Sequence, residues 1–326
     1  MNLLLWVLTL LVAVLAAHWG SDKLAEPLQK LRQQWGLTES AGAAFVALAT
    51  ASPEVGTNAA SAIQGLSDIG LGNLLGSNIV SVPAIVTVAY IAAQKYSTSK
   101  PDDFSQPLKV KSEALTVQTI PYLFIIGLAA VLTIPKPWRG LQPIDGWIML
   151  AAYFIYLAQA IFRKRKKGKE VEWKSQETIV AVVGVIAIIF GAYFTVTATE
   201  KIVSMLGISQ LIGGLFITST LSIAPEVFAT WNVAKSGQFT AATTSVIADN
   251  TVTMTLAFFP LALVTLPVED IQLYSVNLFF VGLLAIVYSL FLRFGRPKYS
   301  FTLKEVLALN GIYVIYLLVM IFVVLR

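Results

Sequence analysis

The sequence predicts an all-α polytopic membrane protein with ten transmembrane helices. Of its 326 residues, 56% are hydrophobic and only 13% are charged, and the mean hydropathy is +0.75. No soluble domain of this length needs so much apolar sequence. A β-barrel is not expected, because long continuous apolar runs replace the alternating strands of about 10 residues that barrels need.

Ten apolar stretches are long enough to cross a bilayer as helices, which takes about 17–25 residues. In chain order they are residues 3–20, 38–64, 70–94, 113–133, 144–162, 178–203, 208–233, 240–265, 271–292 and 303–325. The polar segment 96–111 contains proline and is predicted to be a loop. The segment 163–175 is the most basic of the chain and separates five spans from five.

The distribution of positive charge predicts the orientation of the spans, because cytoplasmic loops are enriched in Lys and Arg. If 163–175 is cytoplasmic, most of the 23 Lys and Arg residues fall on the cytoplasmic side. Both termini then lie outside the cytoplasm, in an inner or plasma membrane. An alternative role for the basic run is to bind anionic lipid or a regulator.

Five spans per half is an odd number, so the second half must enter the membrane from the opposite side to the first. The sequence therefore predicts two inverted repeats of five helices, as several secondary transporters have. The first repeat is predicted at 1–162, a basic cytoplasmic linker at 163–177, and the second repeat at 178–326.

Two Pro-Glu pairs, Pro53–Glu54 and Pro225–Glu226, lie inside apolar spans at similar places in the two halves. A carboxylate within a span is costly and usually functional, and a proline breaks the helix and frees a backbone carbonyl one turn earlier. We expect a helix break at each pair, with the two acids facing each other near the midplane. The alternative is a pair of structural kinks whose acids are protonated and hydrogen-bonded.

Other polar side chains accompany these acids at helical spacing. Thr50 lies four residues before Glu54, and Ser222 lies four residues before Glu226, so each pair shares a helix face. The next span of each half carries further polar positions, namely Asn73, Ser77 and Asn78 in the first half and Ser245, Asp249, Asn250 and Thr253 in the second. Hard cations such as Ca²⁺ or Na⁺ take oxygen ligands of these kinds. Helix–helix contact is the alternative role for such a polar stripe.

Several classes of function are excluded or disfavoured. The chain has no cysteine and one histidine, His18, so thiolate metal sites, redox chemistry and zinc clusters are not expected. We expect His18 to lie at the membrane interface. No nucleic-acid partner is expected, because the net charge of +5 is explained by membrane topology. An intramembrane enzyme is not expected either, because the sequence also has no His-Glu metal motif and no Gly-x-Ser-x-Gly motif. No resident cofactor is expected. The predicted partners are small inorganic cations and the lipid bilayer.

Two segments of the first half resemble the first alpha-repeat of the calcium/cation antiporter superfamily, the group that includes sodium/calcium exchangers. These segments are Ala49–Glu54 and Gly72–Ile79. Members of the superfamily carry a Gly-Thr-Ser-Leu-Pro-Glu-like motif and a Gly-Asn-x-x-Gly-Ser-Asn motif in each half, on ten spans in two inverted halves. Ser222–Glu226 and Ser245–Asn250 resemble a divergent second copy.

The resemblance implies that Glu54 and Glu226 are the central cation-binding acids and that Thr50 and Ser222 flank them. It further places Ser77 and Asp249 at the paired serine positions and Asn73 at the motif asparagine. Asn78, Asn250 and Thr253 complete the set of expected ligands.

This chain departs from the family pattern at three of these places. Ala51 stands where a hydroxyl residue is usual, Asp249 where serine is usual, and Thr253 where an acid or amide is usual. The site therefore resembles a family site whose third acid is displaced by one helical turn. Three acids suit a divalent cation, or one that competes with sodium or protons.

We expect a secondary antiporter that exchanges calcium, or a related divalent cation, for sodium or protons by alternating access. The resemblance implies that the first and sixth spans slide against the rest. Loss of hydroxyl ligands weakens sodium sites, and burial favours the protonated form of a carboxylate, so both counter-ions are considered. The alternative is a cation channel or a non-transporting cation sensor.

Overall fold

Helices make up nearly all of the chain that the computed structural model describes, which is residues 2–37, 39–96, 107–162, 167–173 and 175–325. The helices of the first half are α1 (Leu3–Gln34), α2 (Glu39–Thr50), α3 (Ser52–Ile63), α4 (Ser67–Tyr96), α5 (Ile120–Thr133) and α6 (Pro143–Phe162). A π-helical turn, Leu115–Thr119, leads into α5.

The second half repeats this order after the linker. Its helices are α7 (Ser175–Leu206), α8 (Gln210–Ile212), α9 (Ser219–Lys235), α10 (Phe239–Val252), α11 (Phe258–Leu263), α12 (Ile271–Phe294) and α13 (Leu303–Val319). Three π-helical turns, Gly213–Thr218, Thr253–Ala257 and Met320–Val324, join or extend them.

These elements confirm the ten-span architecture. Nine of the described helical segments are long and apolar enough to cross a membrane, and the predicted span 38–64 is divided between α2 and α3, of 12 residues each. Thr38, at the start of that span, lies outside the described residues. With five spans on each side of the linker, the two halves cross the membrane in opposite senses.

Helix α1 is longer than the predicted span 3–20 and ends at Gln34. Its polar extension contains good helix formers, and Glu26 lies four residues before Lys30, a spacing that supports a helix outside the bilayer. The end of α1 is joined to the linker, because the Lys169 amide donates to the Gln33 carbonyl at 3.1 Å and Lys30 pairs with Glu177. Residues 163–166 and 174 of the predicted linker lie outside the described residues, and α7 already begins at Ser175.

The two most enclosed spans are α4 and the span formed by α10 and α11. In each, an apolar stretch of 18 residues is mostly buried, 72% of it in α4 and 78% in the other span. Helix α4 packs against α9 and the π-helical turn before it. Glycine is required at this contact, since a β-carbon at Gly72 would collide with the Leu211 carbonyl and one at Gly214 with the Ile69 carbonyl. The first half and the second half therefore meet backbone to backbone.

Helices α1 and α7 form a long pair at the side of this core. Both have 32 residues, and only 33% of the apolar 18-residue stretch in each is buried. Gly20 faces Gly184 so closely that a β-carbon at either would meet the other's carbonyl oxygen. Gly191 likewise lies against the backbone of Ala13 and Ala17. The pair therefore packs as one unit whose outer side faces lipid.

Short extended segments tie loops together on the two sides of the membrane. Strand β1 (Leu108–Lys109) pairs with β2 (Ser300–Phe301) in an antiparallel ladder with Leu108 opposite Phe301. An isolated bridge joins Leu141 to Leu266. The predicted loop 96–111 thus includes a strand, while its residues 97–106 lie outside the described residues.

Candidate cation site

Three acids from the two halves meet in the membrane core. Glu54 comes from the first turn of α3, Glu226 from the middle of α9, and Asp249 from the last turn of α10. One carboxylate oxygen of each lies within 4.8 Å of the others. Glu54 is 1% exposed and Asp249 5%. The structure therefore brings together the three acids that the sequence predicted as ligands.

The charge of this triad is not balanced by the hydrogen bonds around it. Both carboxylate oxygens of Glu54 are buried without a hydrogen-bond partner in the described part of the protein. Asp249 accepts a hydrogen bond from the Thr50 hydroxyl at 2.9 Å. Like charges this close in a low-dielectric interior cannot all be ionised without a counter-charge. The carboxylates and the Thr50 hydroxyl together form an oxygen set suited to a hard cation.

The helix break beside Glu54 is present, but the predicted break at Pro225 is wrong. Helix α2 ends at Thr50 and α3 begins at Ser52, with Ala51 between them at ψ −2°. Helix α9 instead runs from Ser219 to Lys235 straight through Pro225. A proline removes a single backbone hydrogen bond, and here its neighbours keep the helix continuous. The irregular backbone of the second half lies earlier, in the π-helical turn Gly213–Thr218.

The carbonyl that Pro53 frees is that of Ala49, four residues earlier. The sequence predicts that this carbonyl lacks a hydrogen-bond donor, but it has two. The Ser52 hydroxyl donates to it at 2.6 Å, and the Ser21 hydroxyl of α1 donates to it at 2.7 Å. A buried carbonyl without a donor is costly, and these two hydroxyls replace the missing amide. Ser21 is 4% exposed and had no signal in the sequence beyond its polarity.

A buried amide network lies one helical turn from the triad, where Asn58 follows Glu54 and Ser222 precedes Glu226. Asn73 donates to the Asn58 side-chain oxygen at 3.3 Å and accepts from the Ser222 hydroxyl at 3.4 Å. Asn58 in turn donates to the Ala257 carbonyl at 3.1 Å. The predicted residues Asn73 and Ser222 thus meet, and they do so through their own side chains. Asn58 was missed, although it lies four residues after Glu54 on the same helix face.

A second network joins α4 to the α10 span. Asn78 donates to the Thr253 hydroxyl at 3.0 Å and accepts from the Tyr122 hydroxyl at 2.8 Å. Asn250 accepts from the Ser81 hydroxyl at 3.0 Å and donates to the Asn78 carbonyl at 3.5 Å. These hydrogen bonds therefore connect α4 to the α10 span through the side chains of Asn78, Asn250 and Thr253.

The two remaining serine positions differ in their surroundings. Ser77 is 7% exposed, and its hydroxyl donates to the Leu74 carbonyl of its own helix at 3.3 Å. Ser245 bonds its own helix in the same way, through the Ala242 carbonyl at 3.1 Å, and borders a cavity. That cavity is how the triad is reached.

A cavity of about 680 Å³ extends from the acids to one end of the bundle. Thr50, Glu226 and Asp249 line it at the triad. The basic side chains Arg32, Lys167 and Lys169 line it at the other end, where both lysines are exposed. Helix α1 forms one wall of the cavity through residues that recur on one helix face, namely Asp22, Ala25, Gln29 and Arg32. A solvated cation therefore has a route to two of the three acids.

The opposite side of the triad is packed with protein. Helix α3 contacts α11 there, and α11 also packs against α6, where Trp147 and Phe259 lie 4.9 Å apart. His18, predicted at the membrane interface, is instead buried at 8% exposure against the backbone of Ser222. The reason is that α1 continues well past residue 20, so that His18 lies within the helix and faces α9.

Comparison with known proteins agrees with this architecture. The family model described as sodium/calcium exchanger protein matches residues 5–162 and 177–322, which is most of both halves. The chain belongs to the sodium/calcium exchanger protein family. Members of this family are secondary cation antiporters in the membrane, so the predictions of a multi-pass transporter and of no enzyme activity are confirmed.

Two relatives resemble the chain along different lengths. The membrane protein MJ0091 of Methanocaldococcus jannaschii is 24% identical over 301 residues, covering 90% of this chain and 93% of that protein. The sodium/calcium exchanger MaX1 of Methanosarcina acetivorans is 36% identical over 83 residues, covering 25% of this chain and 24% of MaX1.

Solved structures share the fold of this exchanger-family chain. The sodium-calcium exchanger NCX_Mj superposes with a TM-score of 0.66 at 21% identity, covering 97% of this chain and 99% of NCX_Mj. The H⁺/Ca²⁺ exchanger CAX superposes with a TM-score of 0.74 at 17% identity, covering 96% of this chain and 81% of CAX. At these identities the likeness establishes the fold.

Proposed function

We propose that this protein exchanges Ca²⁺, or a divalent cation of similar chemistry, for sodium or protons at the triad of Glu54, Glu226 and Asp249. The observation that carries the proposal is the triad itself. Its three acids come from both halves of the chain, lie within 4.8 Å of one another and are reached by a cavity. Three carboxylates and a hydroxyl suit a hard divalent cation, which takes oxygen ligands.

Exchange follows from the charge of the site. A divalent cation neutralises most of the charge of three carboxylates, whereas an empty, ionised triad in the membrane core is strongly unfavourable. Return of the site to the other side of the membrane therefore requires other cations, either sodium ions or protons on the same oxygens. Competition for one set of ligands couples the two ion movements without a second site.

Two features of the chain bear on the counter-ion. Ala51 offers no hydroxyl oxygen beside Glu54, which weakens a sodium site. Asp249 supplies a carboxylate that borders the cavity and can take up a proton from it. The relatives span both chemistries, because MaX1 is a sodium/calcium exchanger and CAX an H⁺/Ca²⁺ exchanger.

Alternating access is the mechanism that the packing favours. The cavity opens beside Arg32, Lys167 and Lys169. We propose that this end faces the cytoplasm, because cytoplasmic loops are enriched in basic residues. Helices α1 and α7 form a unit with its outer side in lipid, and α1 forms a wall of the cavity. Movement of this pair along the core closes one route and opens the other.

Ion flux into proteoliposomes tests this function. We expect uptake of ⁴⁵Ca²⁺ when the vesicles are loaded with sodium, or when they are given a pH gradient, and the effective gradient identifies the counter-ion. Glu54→Gln removes the buried charge and should abolish most of this uptake. The exposed loop variant Glu269→Gln removes a carboxylate outside the site and should retain it.

Three outcomes would contradict the proposal. Uptake under neither gradient would exclude an exchanger, and equal uptake without any counter-ion gradient would indicate a channel. Full exchange by Glu54→Gln would exclude the triad as the transport site.

A further inference from the structure

We propose that Ser21 is a latch that holds the cavity-open state and must release for the transport cycle to proceed. In this state its hydroxyl donates to the Ala49 carbonyl at 2.7 Å, across 28 residues of sequence. The inference rests on the alternating-access function proposed above and assigns a positioning residue to it. Ser21 touches no acid of the triad and acts on the helix break beside it.

The acceptor of this hydrogen bond exists only because of the helix break. Pro53 has no amide hydrogen, so the Ala49 carbonyl lacks its ordinary helical donor. Ser52 satisfies it at 2.6 Å from within the same segment of chain. Ser21 adds a second donor from a different helix, and a carbonyl oxygen has two lone pairs to accept both. The bond from Ser21 is thus the one that depends on where α1 lies.

A neighbouring residue on α1 reaches the other half of the site. His18 lies three residues before Ser21 on the same helix face and is buried against the backbone of Ser222 in α9. One turn of α1 therefore contacts the backbone beside Glu54 and the backbone beside Glu226. Through this turn, residues 18–21, α1 contacts both halves of the site.

Helix α1 can move only together with α7. Gly20, between these two contacts, faces Gly184 with backbone against backbone, and Gly191 is packed in the same way against Ala13 and Ala17. Any sliding of the pair along the core carries Ser21 away from Ala49, because Ala49 belongs to α2. Ser52 stays with its acceptor, so the carbonyl is not left without a donor when the latch opens.

The consequence is a measurable bias between two states. The bond from Ser21 stabilises the cavity-open state and contributes nothing once α1 has moved. Removing one ordinary hydrogen bond changes an equilibrium by roughly fivefold. We therefore expect Ser21→Ala to lower the ratio of open to closed cavity by about fivefold.

Pulsed electron paramagnetic resonance on purified, detergent-solubilised protein measures this ratio directly. The chain has no cysteine, so Gln29→Cys and Gln238→Cys give two spin labels and no others. Both positions line the cavity, one on the moving helix α1 and one just before α10. The two states appear as two distance populations, and the expected result is the fivefold shift toward the shorter distance in Ser21→Ala.

Matched variants separate the latch from a general packing defect. Ser52→Ala removes the donor that stays with the same carbonyl after Ser21 has left. It should therefore destabilise the closed state and raise the ratio of open to closed cavity, opposite to Ser21→Ala. Ser21→Thr keeps a hydroxyl at position 21 and should restore the ratio. An unchanged ratio in Ser21→Ala, a shift in the same direction in Ser52→Ala, or a single distance population in every variant would each overturn the latch.

The distance measurement needs no ion gradient and no transport, so it tests the latch separately from the proposed exchange function. If Ser21→Ala shifts the ratio of open to closed cavity but the protein shows no ⁴⁵Ca²⁺ exchange, the latch is supported and the exchanger function is excluded. Normal exchange with an unshifted ratio would exclude the latch alone.

Discussion

Glu54 is the acid of the triad that the fold encloses most tightly, with 1% of its surface exposed and, among the described residues, no hydrogen bond to either carboxylate oxygen. Asp249 is different, because it borders the cavity and is held by the Thr50 hydroxyl. The site is therefore asymmetric at the level of single residues. A cation arriving through the cavity meets Asp249 and Glu226 before Glu54.

Thr50 offers a test of that arrangement at the residue scale. Thr50→Val keeps the shape of the side chain but removes the donor to Asp249, and a hydrogen bond to a charged group contributes roughly 1.5–3 kcal/mol. We expect the half-saturating Ca²⁺ concentration for ⁴⁵Ca²⁺ uptake to rise at least about tenfold. Thr116→Val, at an exposed position away from the triad, is the control. An unchanged half-saturating concentration in Thr50→Val would show that the bond to Asp249 does not support cation binding.

The sequence identified the acids of the site more reliably than their partners. Glu54, Glu226 and Asp249 could be predicted because a carboxylate in an apolar span is rare and costly. Ser21 and Asn58 could not, because serine and asparagine are ordinary residues in membrane helices and also serve helix–helix contact. Their roles depend on which carbonyl or amide they meet, and only the folded arrangement of the helices determines that.

At the scale of whole elements, hydropathy predicted the number and order of the spans but not their local geometry. The break falls at Ala51, and α9 passes Pro225 without one. Both prolines lack the same amide, so the difference comes from tertiary contacts. Near Ala51, hydroxyls from Ser52 and from α1 satisfy the freed carbonyl and stabilise the broken form. The second half has Ala224 at the place of Ser52, so it lacks one of these hydroxyls, and the same Pro-Glu pair gives two geometries.

The α1–α7 pair carries a prediction about elements. Gly20→Leu places a side chain against the Gly184 backbone, and overpacking of this kind costs roughly 1–3 kcal/mol. We expect a lower thermal unfolding midpoint in detergent and loss of ⁴⁵Ca²⁺ exchange. Gly127→Leu makes the same change on α5 where a β-carbon meets nothing within 4 Å, and it should leave both unchanged. Normal exchange by Gly20→Leu would show that α1 and α7 need not move as one unit.

At the scale of the whole molecule, the position of the cavity and the distribution of basic residues together predict how the protein is oriented in the membrane. The cavity opens where Arg32, Lys167 and Lys169 lie. The enrichment of cytoplasmic loops in basic residues predicts that this end faces the cytoplasm. The five-plus-five topology could be predicted from the sequence because it follows from counting spans. The state in which the cavity is open could not, since it depends on the position of α1 against the core.

Labelling of single cysteines in membrane vesicles tests this orientation. Gln238→Cys, at the cavity mouth, should react with a membrane-impermeant maleimide only when the cytoplasmic side is exposed to the reagent. Lys201→Cys, near the opposite end of α7, should react only from the other side. The reverse pattern would invert the topology and place the open cavity outside the cell.

The contact between Gly72 of α4 and the turn that contains Gly214 constrains which residues the two halves can have at these positions. Each glycine approaches the backbone of the other half with no room for a β-carbon. Neither half can therefore acquire a larger residue there unless the other retreats, and we expect these positions to change together, or not at all, among related chains. For the same reason, a half expressed alone would present an uncovered glycine face, and it would need its complement in the same membrane to rebuild the binding centre.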